Sequence, residues 1–376
     1  MGQSVATTVF GKVDSSANTA ANPCTPQLAE PFSPPKVLGS KTCPGPSLIV
    51  VGLWILGGLS ALIVIVFVIG YYGFPEPEVP YPGLPDPSTV LPGAEPWEFK
   101  GSSHVCFLVV HGFAGSAYNT RPLGEFFHSL GHTAVGPLLP GHGTTPEDME
   151  KTRYYHYLRY VNHLYHECRR RYKEVFLVGF SMGGTLAMDV ASRNSLRAPC
   201  SGLILISAPS FFNGYFNGRL ILHDFSLMLT GFARLFTNTV RLNKNLPDEV
   251  NETNPWVGYR YVYPLGPLHS FKRAFRGIRR RLPMITSPAC LVMSQNDETV
   301  NSENQYYIYS RINSREKRAC MFQLPMDGTT RHVLPTHKFG RDKVFRFLED
   351  YIEDTLQDIS IPPRPSSWRR FLRFFG

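Results

Sequence analysis

The stretch Glu174-Val-Phe-Leu-Val-Gly-Phe-Ser-Met-Gly-Gly-Thr-Leu-Ala-Met-Asp-Val-Ala191 decides how this chain folds. Val175 to Val178 is an apolar run of strand length, and Thr185 to Ala191 reads as a helix. The residues Val178-Gly-Phe-Ser-Met-Gly-Gly184 must therefore turn the chain from one to the other. A turn that sharp lifts the Ser181 hydroxyl above the edge of a sheet and points the N-terminus of the following helix at it. Gly179 and Gly183 then have a steric task, because side chains there would collide across the turn. Ser181 is either an activated nucleophile or a serine in a glycine-rich turn. The choice depends on whether the chain also supplies a base, an acid to orient that base, and donors for a developing oxyanion.

Outward from this stretch, apolar runs alternate with helix-like segments at residues 104–110, 133–136, 175–178, 202–207 and 289–294. The alternation predicts an α/β fold, a mostly parallel sheet flanked by helices. Active sites in such sheets collect at the C-terminal ends of the strands. Those ends carry His111-Gly-Phe-Ala-Gly115, Leu139-Pro-Gly-His-Gly143, Gly179-Phe-Ser-Met-Gly183 and Gln295-Asn-Asp297, and a later loop carries Gly328-Thr-Thr-Arg-His332. A serine hydroxyl attacks a carbonyl only if an imidazole takes its proton, and that imidazole needs a carboxylate to hold its tautomer. Ser181, His332 and Asp297 are the candidates. Asp327, in a Met-Asp-Gly turn, reads as a turn former, and His337 as a surface residue at a helix start. His111 and His142, in glycine-flanked turns, read as structural.

In this order, "HGFAGSAYNTRPLGEFFHSLGH", "LLPGHGTTPEDMEKT", "VGFSMGG", "ACLVMSQNDETV" and "TTRHVLP" resemble the α/β-hydrolases. Within that fold they resemble the bacterial carboxylesterases and monoacylglycerol lipases. The resemblance runs from about Pro96 to about Ile352 and leaves out much of the stretch between Ser210 and Leu282. It implies the α/β-hydrolase fold, a catalytic triad of Ser181, Asp297 and His332, and an oxyanion hole made by the backbone N–H groups of Phe113 and Met182. It also implies a lid at about 210–282. The insert is rich in aromatic residues, among them Phe211, Phe212, Tyr215, Phe216, Phe225, Phe232, Phe236, Trp256, Tyr259, Tyr261 and Tyr263, which suits an acyl chain. The implied activity is ester hydrolysis on a lipid-derived substrate such as a monoacylglycerol, with neither cofactor nor metal. An acyltransferase or serine peptidase on the same triad, or a binding protein on the same fold, are the alternatives.

The chain has 376 residues with 43% hydrophobic content, enough for a sizeable core. Its formal charge of +9 is concentrated in Lys272 to Arg281 and Arg364 to Arg373. Local basic patches, rather than a nucleic-acid-binding field, are therefore expected. The seven cysteines form no Cys-x-x-Cys pair, so neither a zinc site nor a disulfide scaffold is indicated. Residues 1–46, rich in small polar residues and proline, read as a disordered tail. Residues 47–73 contain no charge and exceed the ~20 apolar residues that cross a bilayer as a helix. Lys36 and Lys41 precede this segment and no basic residue follows until Lys100, which puts the N-terminus in the cytoplasm and the hydrolase domain outside it.

Residues 74–95, dense in proline, read as an extended spacer that holds the domain off the membrane. The hydrolase domain is expected over 96–356 and a basic amphipathic tail over 357–376. Two basic segments admit two readings each. Phe271 to Leu282 is a solvated helix or a contact for anionic headgroups, and Trp368 to Phe375 is an interfacial helix or a frayed terminus. The expected partners are an ester or lipid substrate and a membrane; the sequence leaves the oligomeric state open.

Overall fold

The computed structural model describes residues 47–360, apart from 74–77, 217, 223–225, 242–249, 260 and 327–329. The N-terminal tail, Phe225, Asp327 and the basic C-terminal tail with Trp368 lie outside the described residues. Of the two compact units into which the chain divides, Met1–Ile55 holds the first part of helix α1 (Leu48–Tyr72), and Leu56–Gly376 holds the rest of the protein. Among the described residues, α1 is the one helix long and apolar enough to cross a membrane. Its 25 residues span about 37 Å at 1.5 Å per residue.

The domain begins with β1 (Trp97–Phe99), β2 (Val105–Val110), α2 (Arg121–Ser129) and β3 (Thr133–Gly136). A short α3 (Pro146–Glu150) and the long α4 (Tyr154–Arg171) lead to β4 (Glu174–Phe180), α5 (Met182–Asn194) and β5 (Gly202–Ile206). The insert follows. It comprises a hairpin of β6 (Asn213–Phe216) and β7 (Arg219–Leu222), then α6 (Thr230–Ala233), β8 (Thr239–Arg241), α7 (Val250–Thr253), β9 (Val262–Pro264) and α8 (Leu265–Arg281). The chain then returns to the sheet through β10 (Ala289–Ser294), α9 (Glu303–Arg311), β11 (Lys317–Phe322) and α10 (Arg341–Ser360).

The seven-stranded sheet has the order β1-β3-β2-β4-β5-β10-β11, with β1 antiparallel to β3 and every other neighbour parallel. This is the α/β-hydrolase fold. Strand alternation splits the core into two layers. Cys106, Leu108 and Val110 of β2 face α4, α5 and α8. Val105, Phe107 and Val109 face α2 and α10 on the other side. Phe107 stacks on Phe127 and Phe176, with ring centroids 4.1 and 4.7 Å away; burying each ring contributes roughly 1.5–3 kcal/mol.

Two expectations are corrected. The proline-dense stretch does not stand off from the domain. Val79 donates its N–H to Tyr155 Oη and its carbonyl accepts from His156 Nε2, Leu91 N–H reaches the Gly143 carbonyl, and Ala94 is buried. Proline sets the stretch's extended backbone, while side chains far away in sequence hold it down. His337 is not a surface residue: it is fully buried, and its Nδ1 accepts from the Phe339 N–H ahead of α10.

Candidate active site

The turn between β4 and α5 places Ser181. The Ser181 N–H donates to the Ile206 carbonyl at 2.8 Å, which ties the turn to the neighbouring strand, and the residue sits at φ 53°. A non-glycine residue in this region costs about 1–3 kcal/mol, so the surrounding packing must enforce it. The two glycines of the turn leave no alternative. A Cβ on Gly179 would lie 2.2 Å from the Gly183 carbonyl oxygen, and one on Gly183 would lie 2.0 Å from the Val110 carbonyl oxygen.

The structure brings Ser181, His332 and Asp297 together from three separate loops. Ser181 Oγ lies 2.9 Å from His332 Nε2, and His332 Nδ1 lies 2.8 Å from Asp297 Oδ2. The Asp297 side chain is 0% exposed and that of His332 7%. A carboxylate so buried needs donors on both oxygens. Oδ2 receives the imidazole N–H, and Oδ1 receives the backbone N–H groups of Thr299 (2.8 Å) and Val300 (2.9 Å). With the proton on Nδ1, the Nε2 lone pair is left to accept from the serine hydroxyl.

Several side chains that the sequence reading did not single out hold this line. Arg331 donates its backbone N–H to Glu298 Oε1 (3.0 Å) and its Nε–H to the Asn296 carbonyl (3.0 Å), which ties the loop of His332 to the loop of Asp297. Its guanidinium also pairs with Glu298 Oε2 at 3.4 Å. Ser207 donates to the His332 carbonyl at 3.0 Å. Asn254, buried in the insert, donates to the Thr330 carbonyl (2.9 Å) and accepts from Thr336 Oγ1 (2.6 Å). The opposite charges beside Asp297 and His332, in Asp-Glu and Arg-His, were the available signal for the first contact. Asn254 had none, because its partners lie some eighty residues away.

The expected oxyanion donors lie on either side of Ser181. Met182 opens α5, and a first-turn N–H of a helix has no intrahelical acceptor. Phe113 follows Gly112, whose missing Cβ would come within 3.1 Å of Ser181 Cβ, so the His-Gly-Phe loop abuts the nucleophile candidate. His111 stiffens this loop: its Nδ1–H donates to the Gly112 carbonyl (2.9 Å), and its Nε2 accepts the Leu139 N–H (3.1 Å). Burial lowers the His111 imidazole to about 4, and burial followed by the neighbouring His111 holds His142 well below the ordinary range. Both are therefore neutral near pH 7, with His142 donating to the Pro140 carbonyl.

Aromatic side chains of the insert surround the Phe113 ring. It lies 6.3 Å from Phe271 and 6.0 Å from Tyr263, and Phe212 packs on Phe271 and Phe275. Trp256 and Gly258 close over Gly115, and Tyr259 donates its N–H to the Ala114 carbonyl at 2.7 Å. The insert thus packs directly on the loop that carries one expected oxyanion donor.

Residues 101–324 match the family described as serine aminopeptidase, S33. The chain is 30% identical over 230 residues to a thermostable monoacylglycerol lipase of Bacillus sp. (strain H-257), covering 61% of this chain and 84% of that protein. It is 23% identical over 260 residues to a carboxylesterase of Bacillus subtilis (strain 168), covering 69% and 96% respectively. A solved structure from the metagenome-derived lipolytic enzymes LipS and LipT superposes with a TM-score of 0.60 at 25% identity, covering 70% of this chain and 99% of that one.

Proposed function

This chain belongs to the serine aminopeptidase, S33, family, and from that premise we propose that it is a membrane-anchored ester hydrolase of the monoacylglycerol lipase type that works through Ser181, His332, Asp297 and an acyl-enzyme. Its monoacylglycerol lipase and carboxylesterase relatives make it a carboxylic-ester hydrolase. The observation that carries the finer reading is the unbroken line from Ser181 Oγ to His332 Nε2 to Asp297 Oδ2, at 2.9 and 2.8 Å.

The chemistry follows from that line. His332 Nε2 takes the hydroxyl proton as Ser181 Oγ bonds to the ester carbonyl carbon, and the carbonyl electron pair moves onto oxygen. The N–H groups of Phe113 and Met182 receive that oxyanion, in a site dry enough for two donors to matter. Asp297 stabilises the imidazolium. The C–O bond to the alcohol breaks as His332 returns the proton to the departing oxygen, leaving an acyl-Ser181 ester. Water then enters, gives its proton to Nε2 and its oxygen to the acyl carbon; the bond between the acyl carbon and Ser181 Oγ breaks as His332 passes that proton to Oγ, and the carboxylic acid leaves. The apolar helix α1 supports the anchor, and the aromatic insert supports an acyl-chain substrate.

The test is Ser181→Ala, assayed on monoacylglycerols and p-nitrophenyl esters of graded chain length and on aminoacyl p-nitroanilides. Hydrolysis should fall by about five to six orders of magnitude, because triad members act as a unit, and fluorophosphonate labelling should vanish. Labelling that persists removes Ser181 as nucleophile. A wild-type preference for the anilides would move the enzyme to the peptidase side of its family.

A further inference from the structure

Helix α8 carries six cations, Lys272, Arg273, Arg276, Arg279, Arg280 and Arg281, and no acidic residue. Three of them are engaged. Arg281 Nη2 pairs with Asp189 of α5 at 2.5 Å, and Arg279 Nη1 donates to the Ser210 carbonyl at 3.1 Å. Lys272 Nζ donates to the carbonyls of Gly70 and Leu227, both at 3.0 Å, and to Thr230 Oγ1 at 2.9 Å. The other three, Arg273, Arg276 and Arg280, stand at helical spacing on the exposed face, and none has a hydrogen-bond or ion-pair partner among the described residues.

The position of this face in the molecule says what it meets. Gly70 belongs to the last turn of α1, so Lys272 closes a carbonyl that the helix end leaves open. His269 approaches the Tyr72 carbonyl at 3.4 Å while its Nδ1 pairs with Thr230. The backbones of α1 and α6 meet closely, since a Cβ on Gly231 would lie 2.4 Å from the Ile69 carbonyl oxygen. The end of α1 is thus fixed against α6 and α8. Tyr71 and Tyr72, partly exposed there, suit the headgroup level of a bilayer. The turn after α6 adds apolar surface at the same place: Leu235 is 51% exposed and Phe236 76%. Arg234, just before them, lies within electrostatic reach of Arg273.

We propose that Arg273, Arg276 and Arg280, with Leu235 and Phe236, form a docking surface for the anionic headgroups of the leaflet that α1 leaves. The inference rests on the reading of α1 as a membrane anchor. An unpaired basic face beside exposed aromatic and aliphatic side chains is the composition of an interfacial contact. Its consequence lies on the other side of α8, where Phe271 and Phe275 pack into the aromatic cluster around Phe113. The helix that meets the leaflet is the one whose inner face adjoins the active-site loop, so docking sets the distance between lipid and site.

The test uses the full chain in lipid nanodiscs of phosphatidylcholine alone or mixed with phosphatidylglycerol, with amide hydrogen exchange read over residues 230–241 and 265–281. Anionic lipid should slow exchange in both segments. Each arginine near an anionic surface contributes roughly fivefold in attraction. The triple variant Arg273→Gln/Arg276→Gln/Arg280→Gln should therefore lose the effect, and the triple lysine variant should keep it. Equal exchange in the two lipids, or slowing that survives in the glutamine variant, overturns the surface. Retention of the chain in membranes after alkaline carbonate extraction separates such a failure of the surface from failure of the anchor; release by carbonate overturns both.

Discussion

Ser181 is held at φ 53° between two glycines, and its hydroxyl lies 2.9 Å from an imidazole whose far nitrogen faces a buried carboxylate. The roles of the two aspartates follow from this chain of contacts. If Asp297 orients His332, Asp297→Asn puts an amide where an acceptor is needed and favours the wrong tautomer. Turnover should then fall about 10⁴-fold, against a far smaller loss for Asp327→Asn. Steady-state kinetics on a soluble ester rank the two, and the reverse ranking would move the acid to the later loop. His111 makes a second residue-scale prediction. Burial holds its imidazole near 4, below the ordinary 6.5. Between these values the unfolded chain binds a proton that the folded chain refuses. Stability should therefore be intact above pH 6.5 and decline as pH falls toward 4. Urea midpoints across that range check it, and His111→Asn should show a shallower decline than wild type; parallel curves would absolve this histidine.

At the scale of elements, the parallel sheet was legible because its central strands are uninterrupted apolar runs buried on both faces, as β4 and β5 show. The edges were not. β11 reads Lys-Arg-Ala-Cys-Met-Phe, mixed in character because an edge strand is only half covered, and β1 is three residues long. The insert's two small antiparallel sheets, β6–β7 and β8–β9, gave no period either, since their strands are three or four residues long. The triad candidates could be read as residue types at strand ends, but Asn254 could not, because its partners meet it only in space, and for the Arg331 clamp only the opposite charges of Glu298 and Arg331 beside Asp297 and His332 were on view. The elbow carries its own prediction. Gly183→Val sets a branched side chain against the Val110 carbonyl, where even a Cβ would come within 2.0 Å. The variant should lose ~3 kcal/mol or more of stability, with fluorophosphonate labelling lost in step. A urea midpoint equal to wild type would mean that the turn tolerates bulk and the glycine has another role.

For the whole molecule, the question is where the catalytic unit begins. The resemblance puts the boundary near Pro96, after the proline-dense residues 74–95. The contacts put it earlier. Val79 is bonded to Tyr155 and His156 of α4, Leu91 to Gly143, and Ala94 fills a buried position against the Leu139-to-Gly143 turn. That turn is also where His111 anchors the loop of Phe113, through the Leu139 N–H. A chain starting at Glu78 keeps these contacts and sheds α1, so it should hydrolyse a water-soluble ester with kcat close to that of the full chain while leaving the membrane fraction. A chain starting at Pro96 loses them; about 2 kcal/mol of lost packing should lower its Tm by roughly 5 °C relative to the Glu78 chain. If Phe113 is an oxyanion donor, the kcat of the Pro96 chain should fall more than its KM changes, because the disturbed turn supports the loop of Phe113 and such a donor acts in the transition state rather than the substrate's ground state. Differential scanning calorimetry and ester kinetics on the two truncations decide it. Identical Tm and kcat would mean that residues 78–95 are a passive spacer after all.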